Sequence, residues 1–180
     1  MAWKTLASRT VYENRWMRVR EDDVVGPYGA GIYGVVEMQH PAVFVVALDA
    51  EDRVCLVSLS RYATGGRSLE VPAGGSDGED PLVAGQRELA EETGFAASDW
   101  TRLGSMNALN GIANAPEHVF LARNLSRVAD AASSQGEEGI DEVRWVPFAE
   151  VLELIAAGGI TDGETIAALA YAGIHLGRFR

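Results

Sequence analysis

The sequence predicts an α/β fold, a mixed sheet lying between helices, with a small antiparallel β element ahead of it. Three observations lead there. Ala42 to Leu48 and Arg53 to Leu59 are apolar, β-branched-rich runs with the length of buried strands. Pro81 to Thr93 and two segments near the C-terminus have helical patterns and helix-start signals. Strands and helices alternate without the repeated strand–helix–strand units of a doubly wound nucleotide fold, which favours a mixed sheet.

The elements follow in order. Residues 1–40 form a β-rich leader: Trp16-Met17-Arg18-Val19-Arg20 alternates as a half-buried strand does, Gly26-Pro27-Tyr28-Gly29-Ala30-Gly31 supplies a turn, and Ile32 to Met38 resumes an extended pattern. Residues 41–180 form the main domain of a single globular unit. Asp49-Ala50-Glu51-Asp52 reads as the turn of a hairpin joining the two apolar strands. Leu69-Glu70-Val71-Pro72 is short and extended, and Ala73 to Gly78 is too glycine-rich for a regular element. Pro81 suits the first turn of a helix and Gly94 its C-terminal cap, with Leu82, Val83, Leu89 and Ala90 as the apolar face. Strands are predicted at Trp100 to Met106, His118 to Ala122 and Val143 to Val146, with a polar loop from Asn124 to Asp141. Phe148 to Ala157 is helical by period, and Thr161-Asp162-Gly163-Glu164 has capping-box spacing that starts a last helix, through about Ala172.

Charge narrows the function classes. Fifteen Lys+Arg against 26 Asp+Glu give a net charge of −11, whereas sequence-independent binding to nucleic acid or an anionic membrane rests on a basic surface. An anionic ligand would need local neutralisation, for which a divalent cation is the obvious means. Cys55 is the one cysteine, so neither an intrachain disulfide nor a cysteine-based zinc site can form, and its apolar surroundings predict a buried strand thiol. The amino terminus lacks an apolar core of secretory length and the longest apolar run, Ala42 to Leu48, is far below a membrane span. The protein reads as cytoplasmic. His40, His118 and His175 form no spaced metal motif.

The chemistry concentrates between Asp77 and Glu92, where six carboxylates (Asp77, Glu79, Asp80, Glu88, Glu91, Glu92) accompany one base, Arg87. On a helix Glu88 and Glu92 share a face, with β-carbons roughly 5–6 Å apart, a like-charge pair that costs about 0.2–0.5 kcal/mol when exposed. A cation between them reverses that sign. Mg²⁺ accepts one or two protein carboxylates and completes its octahedron with water and phosphate oxygens. Arg87 and Glu91, also four apart, can pair and hold the carboxylates in place.

Glu79, seven residues, then Arg87-Glu88-Leu89-Ala90-Glu91-Glu92-Thr93-Gly94-Phe95 resembles the Nudix box. The Arg-Glu-x-x-Glu-Glu-x-Gly portion alone arises by chance about once in a million positions. One departure stands: four residues separate Gly74 from Glu79 where the family pattern has five, so either the loop is one residue shorter or Ala73 occupies the family's glycine position. The resemblance implies a Nudix-type α/β/α sandwich and Mg²⁺, with Mn²⁺ as a substitute, held by Glu88, Glu91 and Glu92 and by the loop backbone at Ala73. Glu79 and Arg87 are implied as organisers of that site.

A looser likeness narrows the substrate. Ser60-Arg61-Tyr62, Ser68-Leu69-Glu70-Val71-Pro72-Ala73-Gly74 and the β-rich leader resemble the ADP-ribose pyrophosphatase branch. That resemblance implies leader strands exchanged across a homodimer, Trp16 or Tyr33 stacking the adenine, Arg61 holding phosphate and Glu70 beside the substrate. It also implies a catalytic base from an acidic loop before the last core strand, Glu137 or Glu138, with Glu138 favoured; the family's spaced acids are here adjacent. The expected reaction is hydrolysis of a nucleoside-diphosphate sugar, ADP-ribose to AMP and ribose 5-phosphate. Other sugar nucleotides, FAD, NADH or a coenzyme A derivative are alternative substrates, and a non-catalytic nucleotide sensor is the alternative class.

Overall fold

Alternation along β4 (Ala42–Ala47) divides the core into two layers. Val43, Val45 and Ala47 face one way, packing with Ala84 and Leu89 of α1 (Pro81–Thr93), while Phe44 and Val46 face the other, packing with Ala168, Leu169 and Ala172 of α3 (Gly163–His175). The computed structural model describes residues 2–128, 135–136 and 139–179. The central sheet has the order β7-β4-β10-β8, from β7 (Ala73–Gly75), β8 (Phe95–Asn107) and β10 (Pro116–Arg127). β10 runs parallel to β4 and antiparallel to β8, so the sheet is mixed. A second sheet, β11-β5-β6, comprises β5 (Arg53–Arg61), β6 (Gly66–Glu70) and β11 (Ile140–Pro147), with α2 (Phe148–Ala156) following directly. Leu56, Leu89 and Leu169 have no exposed surface, and burial of each such side chain contributes about 1.5–3 kcal/mol. The result is an α/β/α sandwich. No helix of the described residues is long and apolar enough to cross a membrane.

Ahead of it, β1 (Lys4–Glu13), β2 (Met17–Gly26) and β3 (Gly29–Met38) form an antiparallel meander, joined parallel to β3 by the two-residue β9 (Ala113–Asn114). Every residue of β1 is exposed. Trp3, Leu6, Val11 and Tyr12 each present more than half their surface, a face that a three-stranded ribbon cannot cover by itself.

Several elements differ from the sequence reading. Asp49–Asp52 does turn the chain, with the Asp49 N–H on the Arg53 carbonyl at 3.1 Å and a Leu48–Val54 bridge, but β4 and β5 then part into different sheets. β1 is missed because its alternation is weak and both faces are exposed. Ala73–Gly75 is a strand despite its glycines, because Phe44, Val43 and Ala42 of β4 supply the partner ladder. β10 continues to Arg127, with Asn124 at φ 54°, so the interval between the last strands is shorter than predicted. The last helix is capped by Asp162, whose carboxylate accepts the Thr165 N–H at 2.7 Å, rather than by Thr161.

Candidate active site

α1 sets the geometry. Asp80 caps its start by accepting the Leu82 N–H at 2.9 Å, Pro81 fits the first turn, and Gly94, at φ 75°, ends it with its N–H on the Ala90 carbonyl at 3.0 Å. This phasing turns Glu88 and Glu92 inward, 6% and 5% exposed. Both meet the loop at β7. Glu92 Oε2 accepts the Ala73 N–H at 2.9 Å. Gly74 lies directly over Glu88, and a β-carbon there would stand 2.6 Å from Oε2 and overlap the rest of the carboxylate. Only glycine permits that approach.

Arg87 ties the remaining box residues together. Its Nε donates to Glu79 at 3.0 Å, Nη1 to Glu88 at 2.8 Å and Glu91 at 3.1 Å, and Nη2 to the Gly75 carbonyl at 2.9 Å. Partial burial opposes its charge, but Glu79, Glu88 and Glu91 outweigh that and hold its pKa above the ordinary value. Glu91, 38% exposed, therefore stands at the rim on Arg87 rather than beside the buried pair.

A divalent ion fits this arrangement. Arg87 offsets part of the charge on Glu88 and the Ala73 N–H serves Glu92, and two carboxylates buried four residues apart on one helix face remain a donor set that a divalent cation further stabilises. Among the described residues no three acid, histidine or cysteine side chains converge on a metal position. Protein ligands would thus be Glu88, Glu92 and the β7 loop backbone, leaving positions for phosphate and water, as Mg²⁺ accepts.

Beside that loop lies a pocket of about 260 Å³, lined by Arg61, Glu70, Ala73, Gly74, Glu117, Asp162 and Glu164. Glu70, 4% exposed, accepts Arg61 Nε at 2.9 Å and Nη2 at 2.5 Å, a fork that fixes the guanidinium and keeps it protonated. Glu117 is the residue missed from sequence. It is 5% exposed, its Oε2 has no hydrogen-bond partner, and burial, reinforced by Glu164 and Asp162, pushes its carboxyl up to about 7. An isolated glutamate two residues into a strand carries no motif, and only the parallel pairing of Glu117 with Ala42 brings it to the pocket.

The structure thus brings together Arg61, Glu70, Ala73, Glu88 and Glu92, with Glu79, Arg87 and Glu91 adjoining. It does not bring Trp16 or Tyr33 into the pocket lining. Trp16 is 57% exposed under the guanidinium of Arg15 at 4.2 Å. Tyr33 packs edge-on against Trp3 at 5.5 Å and its hydroxyl donates to the Gly111 carbonyl. Glu137 and Glu138 lie outside the described residues. Cys55 is fully buried and its thiol is pushed up to about 12, which removes it as a nucleophile.

Comparison with known proteins bears on the family and the fold. The family model for the NUDIX domain matches residues 38–169, and that for the nucleoside diphosphate sugar hydrolase N-terminal domain matches residues 3–36. An ADP-ribose pyrophosphatase of Mycobacterium tuberculosis is 32% identical over 174 residues, covering 96% of this chain and 81% of the relative. An ADP-ribose pyrophosphatase of Bacillus subtilis and a methanol dehydrogenase activator of Bacillus methanolicus are each 31% identical over 170 residues, covering 93% of this chain and 91% of the relative. The crystal structure of an ADP compounds hydrolase superposes with a TM-score of 0.83 at 23% identity, covering 100% of this chain and 97% of that one, a likeness of fold. The box that Arg87 organises and a domain model spanning most of the chain make one conclusion plain: this protein is a hydrolase of the Nudix family.

Proposed function

We propose that the chain hydrolyses the diphosphate bond of a nucleoside-diphosphate sugar, ADP-ribose to AMP and ribose 5-phosphate, with Mg²⁺ as its cofactor. The observation that carries this reading is the convergence at β7: Glu88 and Glu92 lie under the loop, and the Arg61–Glu70 fork stands beside it. The ADP-ribose pyrophosphatase relatives, similar over nearly the whole chain, point to the same substrate class. Bound at Glu88 and Glu92, the ion would neutralise the diphosphate and polarise the attacked phosphorus. Arg61, fixed by Glu70 through Nε and Nη2, keeps Nη1 to donate to a phosphate oxygen. Arg87 holds Glu88, Glu79 and Glu91 in register, so their charges need not reorganise during the reaction. Glu117, protonated near neutrality, can donate to a substrate hydroxyl while Asp162 and Glu164 repel a further phosphate. Water is the nucleophile, and Glu137 or Glu138 takes its proton as general base.

The reading includes a homodimer with exchanged leaders. The exposed apolar face of β1 and the openness of Trp16 support it. Trp16 is the better stacking candidate, because the Tyr33 ring and hydroxyl are already engaged. The test is hydrolysis of a panel of nucleoside-diphosphate compounds with Mg²⁺, products separated by chromatography. ADP-ribose should be cleaved fastest, to AMP and ribose 5-phosphate. Equal rates on unrelated dinucleotides, or full activity in EDTA, would overturn the proposal.

A further inference from the structure

At the far end of β4 from the hydrolytic pocket, a second concavity of about 880 Å³ lies between the β4–β5 turn, the end of β10 and β11. Ala42 lines the first and Leu48 the second, six residues apart on one extended run and hence about 20 Å along the strand. Its charges divide unevenly. The acids of the turn are already satisfied: Asp49 accepts the backbone N–H of Glu51 at 3.0 Å and of Arg53 at 2.8 Å, and Arg53 Nε at 2.7 Å. Glu51 accepts Arg53 Nη2 at 3.0 Å, and Asp52 accepts Arg178 Nη2 at 2.7 Å.

On the opposite wall stand Arg123 and Arg127, whose guanidinium groups make no hydrogen bond or ion pair to a described residue. The Arg127 guanidinium lies over the Phe95 ring at 5.1 Å. In a chain with 26 acidic and 15 basic residues, two neighbouring guanidinia with no carboxylate partner among the described residues are a marked local excess. Between them and the turn, Phe95 meets Trp145 edge-on at 5.2 Å and 83°, giving the groove an aromatic floor. Guanidinium forks match the geometry of a phosphomonoester, and aromatic side chains accept a base by stacking without regard to its identity.

We infer that this groove is a second ligand site, separate from the hydrolytic pocket, which takes a nucleoside monophosphate: the phosphate on Arg123 and Arg127, the base on the Phe95–Trp145 floor. The site has no carboxylate pair awaiting a metal, so it binds without a divalent ion and weakens as salt rises. The inference does not depend on the substrate proposed above.

The experiment is calorimetric titration of the full chain with AMP in EDTA, with adenosine and inorganic phosphate as separate arms and tryptophan fluorescence as a second readout. AMP should bind more tightly than either fragment. Arg123→Ala and Arg127→Ala should each weaken it about 10- to 150-fold, the range for a charge-assisted hydrogen bond, while Arg61→Ala leaves it unchanged. Both arginines are at least partly exposed, so the variants should unfold at the wild-type temperature, which circular dichroism checks. Absence of AMP binding, identical binding by the double variant, or loss of binding on Arg61→Ala alone would each overturn the site.

Discussion

Replacing Glu117 by Gln should make the protein more stable at alkaline pH and change little in acid. In the folded chain the Glu117 carboxyl titrates at about 7, against an ordinary value of 4.5, first because it is desolvated and then because Glu164 and Asp162 face it. The sign follows from proton linkage. Below pH 4.5 folded and unfolded chains both carry the proton, and no free energy is at stake. Between 4.5 and about 7 the unfolded chain releases it while the folded chain keeps it, so stability falls as pH rises, and above 7 the loss is complete. At about 1.4 kcal/mol per pH unit the displacement sets a ceiling of about 3.4 kcal/mol. Water entering the open pocket reduces this, and about 1–2 kcal/mol is the expected gain for the isosteric, uncharged Gln. For a domain of this length that amounts to an increase in Tm of about 2–8 °C. The assay is thermal unfolding by circular dichroism in EDTA at pH 5 and pH 8.5, comparing the gap between wild type and Glu117→Gln. A gap of the same size at both pH values would refute the argument.

Other consequences follow from the same geometry. Glu92→Gln should lower turnover at saturating Mg²⁺ by at least about 100-fold, the scale for losing one charge-stabilising group, with Tm nearly unchanged because Gln still accepts the Ala73 N–H. Gly74→Ala should force the Glu88 carboxylate aside and weaken Mg²⁺ binding about 10- to 100-fold, measured by the metal dependence of the rate; wild-type metal dependence would contradict the close approach. Arg87→Ala, which leaves the buried Glu88 without its guanidinium, should cost about 1–3 kcal/mol in denaturant unfolding. Light scattering should report about twice the 19.3 kDa chain mass, and a monomer with intact activity would remove the exchanged leader.

What the sequence determined by itself is local. Pro81 and Gly94 mark the two ends of α1, and the 3.6-residue period then places Glu88 and Glu92 on one face. The shared face of Glu88 and Glu92 is therefore legible from spacing, and its chemistry from the resemblance of the whole motif to the Nudix box. Buried strands such as Ala42 to Leu48 are legible for a similar reason, since unbroken β-branched runs need shelter on both faces. Pairing was decided only in three dimensions. β4 and β5 look like a hairpin because their turn is short, yet they enter different sheets because β4 is taken by β7 and β10, and β5 by β6 and β11. Ala73–Gly75 becomes a strand only because β4 offers a ladder. Glu117, 25 residues beyond Glu92 and without motif, reaches the pocket because β10 lies parallel to β4, and Arg61 meets Glu70 because β5 and β6 are paired. Side-chain period is a property of one segment and can be read along it; register and partner choice depend on which distant segments bury one another best, and there tertiary structure alone assigned Glu117 to the pocket.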